Sequence, residues 1–167
     1  MHPQAQEDLL RELINLTNNK RNNIVFFATH SNYMIDKDDL SRNYKIIKED
    51  ESTKKEQFNK KASTYASVTY EVFDIASTDY HNELYAKLHQ KYQNLDVLDE
   101  DREKIKNFDK KYFHIEKKLK MDKPWKGNAN SATLPTYIRN CIHHSDNGHK
   151  YKDEDLRKSI ELLRSYL

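Results

Sequence analysis

One short stretch of the chain gathers side chains that can act on a phosphodiester. In Thr133-Leu-Pro-Thr-Tyr-Ile-Arg-Asn-Cys-Ile-His-His-Ser-Asp-Asn147, Arg139 is followed directly by Asn140, and His144 comes after four intervening residues. Cleavage of RNA without a metal needs a base for the 2′-hydroxyl proton, an acid for the 5′-oxygen, and a cation for the charge building on the phosphate. Histidine titrates near neutrality and serves as base or acid, while a guanidinium grips phosphate oxygens through paired donors. Arg139 is the candidate phosphate holder and His144 the candidate base or acid; Asn140 would bond the scissile phosphate or fix the histidine tautomer.

A single helix supplies this set awkwardly. At about 100° per residue, Arg139 and His144 lie roughly 140° apart, whereas Arg139/His143 and Asn140/His144 are four-residue neighbours on shared faces. Plainer roles compete with the chemical ones. Arg139 can cap a helix or pair with a carboxylate, and a histidine near a helix C-terminus interacts favourably with the dipole, which is the role assigned to His143. His143, His144 and His149 lack an acidic partner at a recognised ligand spacing, so neither a metal nor any other cofactor is expected. Cys141 and Ile142 read as core residues.

A second feature lies just upstream. From Arg102 to Lys126 there are ten basic and four acidic residues, ending in Lys117, Lys118, Lys120, Lys123 and Lys126 around Trp125. Such a run can track an RNA backbone while the indole stacks on a base, although a solvated helix face is the commoner reason for it.

The R-x4-H pattern with a polar residue after the arginine resembles the signature of the HEPN superfamily. The wider wording, from Tyr137 through Asn147 and on through Asp153-Glu-Asp-Leu-Arg-Lys-Ser-Ile-Glu-Leu-Leu-Arg164, is similar to C-terminal segments found with bacterial ATPases of phage-defence type. The resemblance covers about 35 residues. It implies a helical bundle and a metal-independent endoribonuclease leaving a 2′,3′-cyclic phosphate, acting as a toxin or effector in antiviral defence or stress response. It also implies a homodimer whose two motifs face each other in a composite site. The competing reading is a non-catalytic HEPN module that binds RNA, nucleotide, or an ATPase or antitoxin partner.

The elements that must hold the motif read mostly as helices. Leu9, Leu13 and Leu16 form one stripe between Gln4 and Asn18, with Leu10 and Ile14 beside it. Ile24-Val-Phe-Phe-Ala28 is a short apolar block for which composition favours helix over strand, and Asp36 to Asp50 reads as a short helix or an ordered excursion. From Ser52 a stripe through Phe58, Ala62, Tyr65, Val72, Tyr80 and Leu88 to Tyr92 predicts one long helix or two, with Ser77-Thr78-Asp79 as the break and cap. Tyr65, Tyr80 and Tyr92 are expected in the core. An acidic start at Asp99-Glu100-Asp101 leads to a helix with Ile105, Phe108, Tyr112, Ile115 and Leu119 on one face. Met121 to Thr133 reads as loop, and two helices follow, about Leu134 to His144 and Asp153 to Tyr166.

Composition sets the frame. The 167 residues contain two glycines and three prolines, too few for the tight turns of a mainly β or alternating α/β fold, so the expectation is all-α in a single domain, residues 1–167. One cysteine, Cys141, excludes an internal disulfide. With 29 basic against 27 acidic residues the net charge is +2, so any nucleic-acid surface must be local. No apolar run of membrane length and no leader is visible, which predicts a soluble, cytoplasmic protein without membrane contact.

Overall fold

The computed structural model describes residues 2–18, 22–58, 64–94, 104–125 and 127–167. They are mostly helical, and they form two compact units, Met1–Ile75 and Ala76–Leu167. Among the described residues no helix is long and apolar enough to cross a membrane.

In the first unit, α1 (Pro3–Asn18) is the amphipathic helix expected from its leucine stripe. The apolar block after it forms no regular element, and Ile24 and Phe26 stand exposed. The expectation of helix there fails for a physical reason: a run of five apolar residues is too short to offset the cost of nucleating a helix. A 3₁₀ turn at Leu40–Arg42 is capped by the Asp39 carboxylate, which accepts from the Ser41 N–H, and leads into a hairpin of β1 (Tyr44–Glu49) and β2 (Ser52–Gln57). The strands are antiparallel with Glu49 opposite Ser52, and Asp50 makes the turn at φ 50°, a conformation Asp adopts more readily than most residues. Helix α2 (Tyr65–Phe73) starts on a reciprocal cap between Thr64 and Ser67 and ends at Asp74, φ 56°. Its Val68 and Val72 pack with Ile35 and Leu40 as a small aliphatic core.

The second unit opens with α3 (Thr78–Gln93). Ser77 caps it, its side chain accepting from the Tyr80 N–H at 3.2 Å, so the helix start falls where the sequence placed the break. The stripe expected to be helical from Ser52, however, begins as strand β2 and is helical only at Tyr65–Phe73 and Thr78–Gln93. Tyr80 is buried, whereas Tyr65 and Tyr92 are half-buried. Helix α4 (Ile105–Phe108) runs directly into π-helical Asp109–Glu116. The i→i+5 bonding puts an extra residue into each turn and rotates the buried face. Phe108, Asp109, Tyr112 and Phe113 are buried as a result, while Ile115, expected on the same face, is 62% exposed. Met121 to Thr133, expected as loop, holds a short hairpin of β3 (Lys123–Trp125) and β4 (Gly127–Ala132), with an irregularity between Pro124 and Trp125. Helices α5 (Leu134–His143) and α6 (Asp153–Ser165) complete the unit, and α3, α5 and α6 pack on one another around Leu88, Ile138, Ile160 and Leu163.

Two small antiparallel sheets correct the all-α expectation. Both are two-stranded hairpins. The first turns on an aspartate without a glycine. The second places Gly127, one of the chain's two, opposite Trp125 where β4 begins and carries its proline in a short strand with one partner, so two hairpins cost a single glycine. The acidic start at 99–101, Ala62 and Lys126 lie outside the described residues.

Candidate functional site

The start of α5 is fixed from beneath by a buried carboxylate. Thr133, the residue before the helix, donates its backbone N–H to both Asp109 carboxylate oxygens, at 3.2 and 3.4 Å, and its hydroxyl to one of them. Pro135 in the first turn lacks an N–H that would otherwise need an acceptor. The Thr136 hydroxyl is 2.8 Å from the Tyr85 hydroxyl on α3 and, with Thr133, favours the charged form of Asp109. Burial raises the Asp109 carboxyl above the usual range even though these bonds favour its charged form, and burial likewise raises the Tyr85 phenol. The Arg139 charge acts on Tyr85 in the opposite sense, which ties the buried network to the motif above it.

At the other end of α5 the helix stops at the motif. His144 has φ −135° and ψ 63°, and its N–H still bonds the Asn140 carbonyl at 2.9 Å. Because His144 leaves the helical progression, the separation expected for a continuous helix does not apply to it. Arg139, Asn140 and His144 line one open cavity of about 160 Å³. The Arg139 guanidinium donates to the Asn140 side-chain oxygen at 3.1 Å, so Asn140 aims the cation. The remaining wall comes from Ile105, from Pro124 and Trp125 of β3, and from His149.

His143 does not line this cavity. Its imidazole is held below the ordinary value first by partial burial and then by the charges of Arg139 and His144. It also acts on His81, an α3 histidine that is fully buried and whose Nε2 is 2.9 Å from the Ser159 hydroxyl on α6. Burial lowers His81 to a pKa of about 4. Cys141 is buried and its thiol pushed up by that burial, while Ile142 is half-buried.

The basic run disperses. Lys117 lies over the Tyr112 and Tyr166 rings, 5.1 and 5.4 Å from their centroids, and bonds Glu116 at 2.9 Å. Lys118 and Lys120 are exposed, Lys118 with φ 56°, and Lys123 is half-buried in β3. Only Trp125 of the described group reaches the cavity. Among the described residues no three His, Cys, Asp or Glu side chains are grouped to hold a metal ion.

Sequence reasoning weighed His149 only as a metal ligand and did not see the Asp109 network. The signals were present in part: a threonine before Leu134-Pro135 marks a helix start, and an aspartate inside an aromatic face must find a partner. Compared with protein-family models, with curated proteins and with solved structures, the chain matches none. The HEPN resemblance therefore rests on the motif and its wording alone.

Proposed function

We propose that this chain is a metal-independent endoribonuclease of the HEPN kind, a toxin or effector in bacterial defence or stress response. The observation that supports the reading is the convergence of Arg139, Asn140 and His144 on one open cavity with Trp125 in its wall. Arg139, steadied by Asn140, holds the non-bridging oxygens of the scissile phosphate as charge builds on them. His144 takes the 2′-hydroxyl proton or gives one to the departing 5′-oxygen. The indole face of Trp125 is available to a base next to the phosphate. The products are a 2′,3′-cyclic phosphate and a 5′-hydroxyl, and DNA, which lacks the attacking hydroxyl, is not cut.

The dimer implied by the family resemblance belongs to the same proposal, as does a partner ATPase or antitoxin. A second copy would set two such cavities in one particle. The test is incubation of purified protein with total RNA in excess chelator, wild type beside His144→Ala, with the ends of the fragments identified. Cyclic phosphate ends that vanish in the variant support the reading. RNA that is bound and left intact makes the chain a binding module instead.

A further inference from the structure

The transesterification moves two protons: one leaves the attacking 2′-oxygen as the new O–P bond forms, and one arrives at the 5′-oxygen as the P–O5′ bond breaks. Attack and departure occur on opposite sides of phosphorus, so two separately placed groups serve it better than one. A dimer would draw the second group from the partner. The cavity already holds another candidate, because His149 lines it together with His144 and Arg139.

His149 is held in place by the same helix that carries Arg139. Gly148 turns the chain at φ 69°, which returns it toward α5 after the 3₁₀ turn Ser145–Asn147. There the Tyr137 hydroxyl donates to the Lys150 carbonyl at 2.7 Å, and the Tyr137 ring lies 6.0 Å from the imidazole. Two contacts from Tyr137, two residues before Arg139, thus hold the imidazole itself and the carbonyl of the residue after it. Among the described residues, the titratable and charged groups that line the cavity with His149 or touch its ring are Arg139, His144 and the Tyr137 phenol, while α4 and β3 contribute Ile105, Pro124 and Trp125 to that lining. Two imidazoles, a guanidinium and an apolar wall form a set for proton transfer and charge neutralisation.

We infer that His149 performs the second proton transfer of this site, opposite in sense to that of His144, so that one chain supplies both acid and base. The inference rests on the ribonuclease reading. At the start of a turnover one imidazole is neutral and the other protonated; after P–O5′ cleavage the first carries the proton from the 2′-oxygen and the second has passed its own to the 5′-oxygen.

The test compares wild type, His144→Gln and His149→Gln in excess chelator on two substrates: an oligoribonucleotide and a nucleoside 3′-(4-nitrophenyl phosphate), whose leaving group departs without a proton. Circular dichroism checks that each variant is folded. Wild type should show a bell-shaped pH–rate profile on the oligonucleotide. His149→Gln should slow that reaction by about 100-fold or more and lose one limb of the bell. The variant that lacks the acid should keep a near wild-type rate on the nitrophenyl ester, and the one that lacks the base should be slow on both substrates. An intact bell in His149→Gln with a rate within about threefold of wild type overturns the inference. Equal losses in the two variants on both substrates also overturn it, because they indicate that His149 only supports the structure. Wild type inactive on both substrates is a different failure, that of the ribonuclease reading itself.

Discussion

The two units bury different things. Six polar side chains are buried among the described residues, and five of them, His81, Asp109, Thr133, Thr136 and Ser159, belong to Ala76–Leu167. Met1–Ile75 contributes Ser67, which serves the local cap of α2. The first unit's apolar side is also less covered: α1 has no buried residue, and a cavity of about 320 Å³ beside it is lined largely by aliphatic side chains such as Leu10, Leu13, Ile14 and Val25. In the second unit a smaller cavity gathers the guanidinium and the two imidazoles. A buried polar group is costly unless its partner is in one place, so a network of them selects a single arrangement of the helices it joins. The unit that must hold charged tips in register is the one that carries such a network.

The largest effect expected from breaking this contrast is on chemistry. Arg139→Ala and His144→Ala should each lower RNA cleavage about a thousandfold, with the fold left intact, because both tips lie at an open cavity and outside the packed core. Phe26→Ser in the first unit, at an 88% exposed position, should leave the rate unchanged. Single-turnover assays on an oligoribonucleotide read both outcomes. Unfolding of the Arg139 or His144 variants, or undiminished cleavage, would move these residues from catalysis to structure.

The next effect is on stability. Asp109→Ala leaves the Thr133 N–H and hydroxyl buried without their acceptor and should cost about 2–3 kcal/mol. Leu13→Ala, on a helix with no buried residue, should cost below about 1 kcal/mol. The chain's one tryptophan, Trp125, is in the second unit, so indole fluorescence during urea denaturation follows that unit while circular dichroism follows both. Equal destabilisation by the two substitutions would erase the contrast.

A pH dependence should follow from His81. Its folded pKa of about 4 lies below the ordinary 6.5, so between these values the unfolded chain binds the extra proton and stability falls on acidification. The contribution is intact above pH 6.5, and about 2 kcal/mol is lost by pH 5. Asp109 acts with the opposite sign, because a carboxyl raised by folding favours the folded state as it takes up its proton. His143, also lowered on folding, adds a part of the same sign, so the slope between pH 6.5 and 5 should flatten by the His81 share in the double variant His81→Leu, Ser159→Ala, which removes the buried pair together.

What could be read in advance divides along similar lines. Periodicity and caps marked α1, the break at Ser77, α5 and α6, because each depends on side chains close in sequence. The hairpins were missed since strand pairing is settled by a partner: Ser52–Gln57 is polar and exposed throughout, and nothing in it separates strand from helix until β1 lies beside it. The π-helical stretch was missed because an i→i+5 turn has no signature in a stripe read at helical spacing. At the site, residue types and order named Arg139, Asn140 and His144. The same reasoning set the arginine and histidine apart, because it carried ideal helix geometry one residue past the helix's end. His149 and Asp109 reach α5 through turns and packing, which spacing along the chain does not encode.

The smallest effect concerns the lysines, and it separates charges held by the second unit's aromatic core from charges left to solvent. Lys117 is engaged with two tyrosine rings and Glu116, and the Glu116 bond raises its pKa first of all. Moving it to a phosphate would pull the ammonium away from those rings, so little binding energy should be gained. Lys118 and Lys120 are exposed and reach a phosphate without leaving any such ring. Removing Lys118 and Lys120 together should weaken RNA binding at low salt and reduce the slope of log affinity against log salt by about one for each phosphate that they neutralise. Lys117→Ala should leave that slope nearly unchanged and instead lower the stability of the second unit by about 0.5–1 kcal/mol. Fluorescence anisotropy of a labelled oligoribonucleotide on the His144→Ala background, at two salt concentrations, measures the slopes without cleavage. A Lys117→Ala slope that drops as far as the others would show that RNA lifts the ammonium off its rings, and held and free charges would then behave alike.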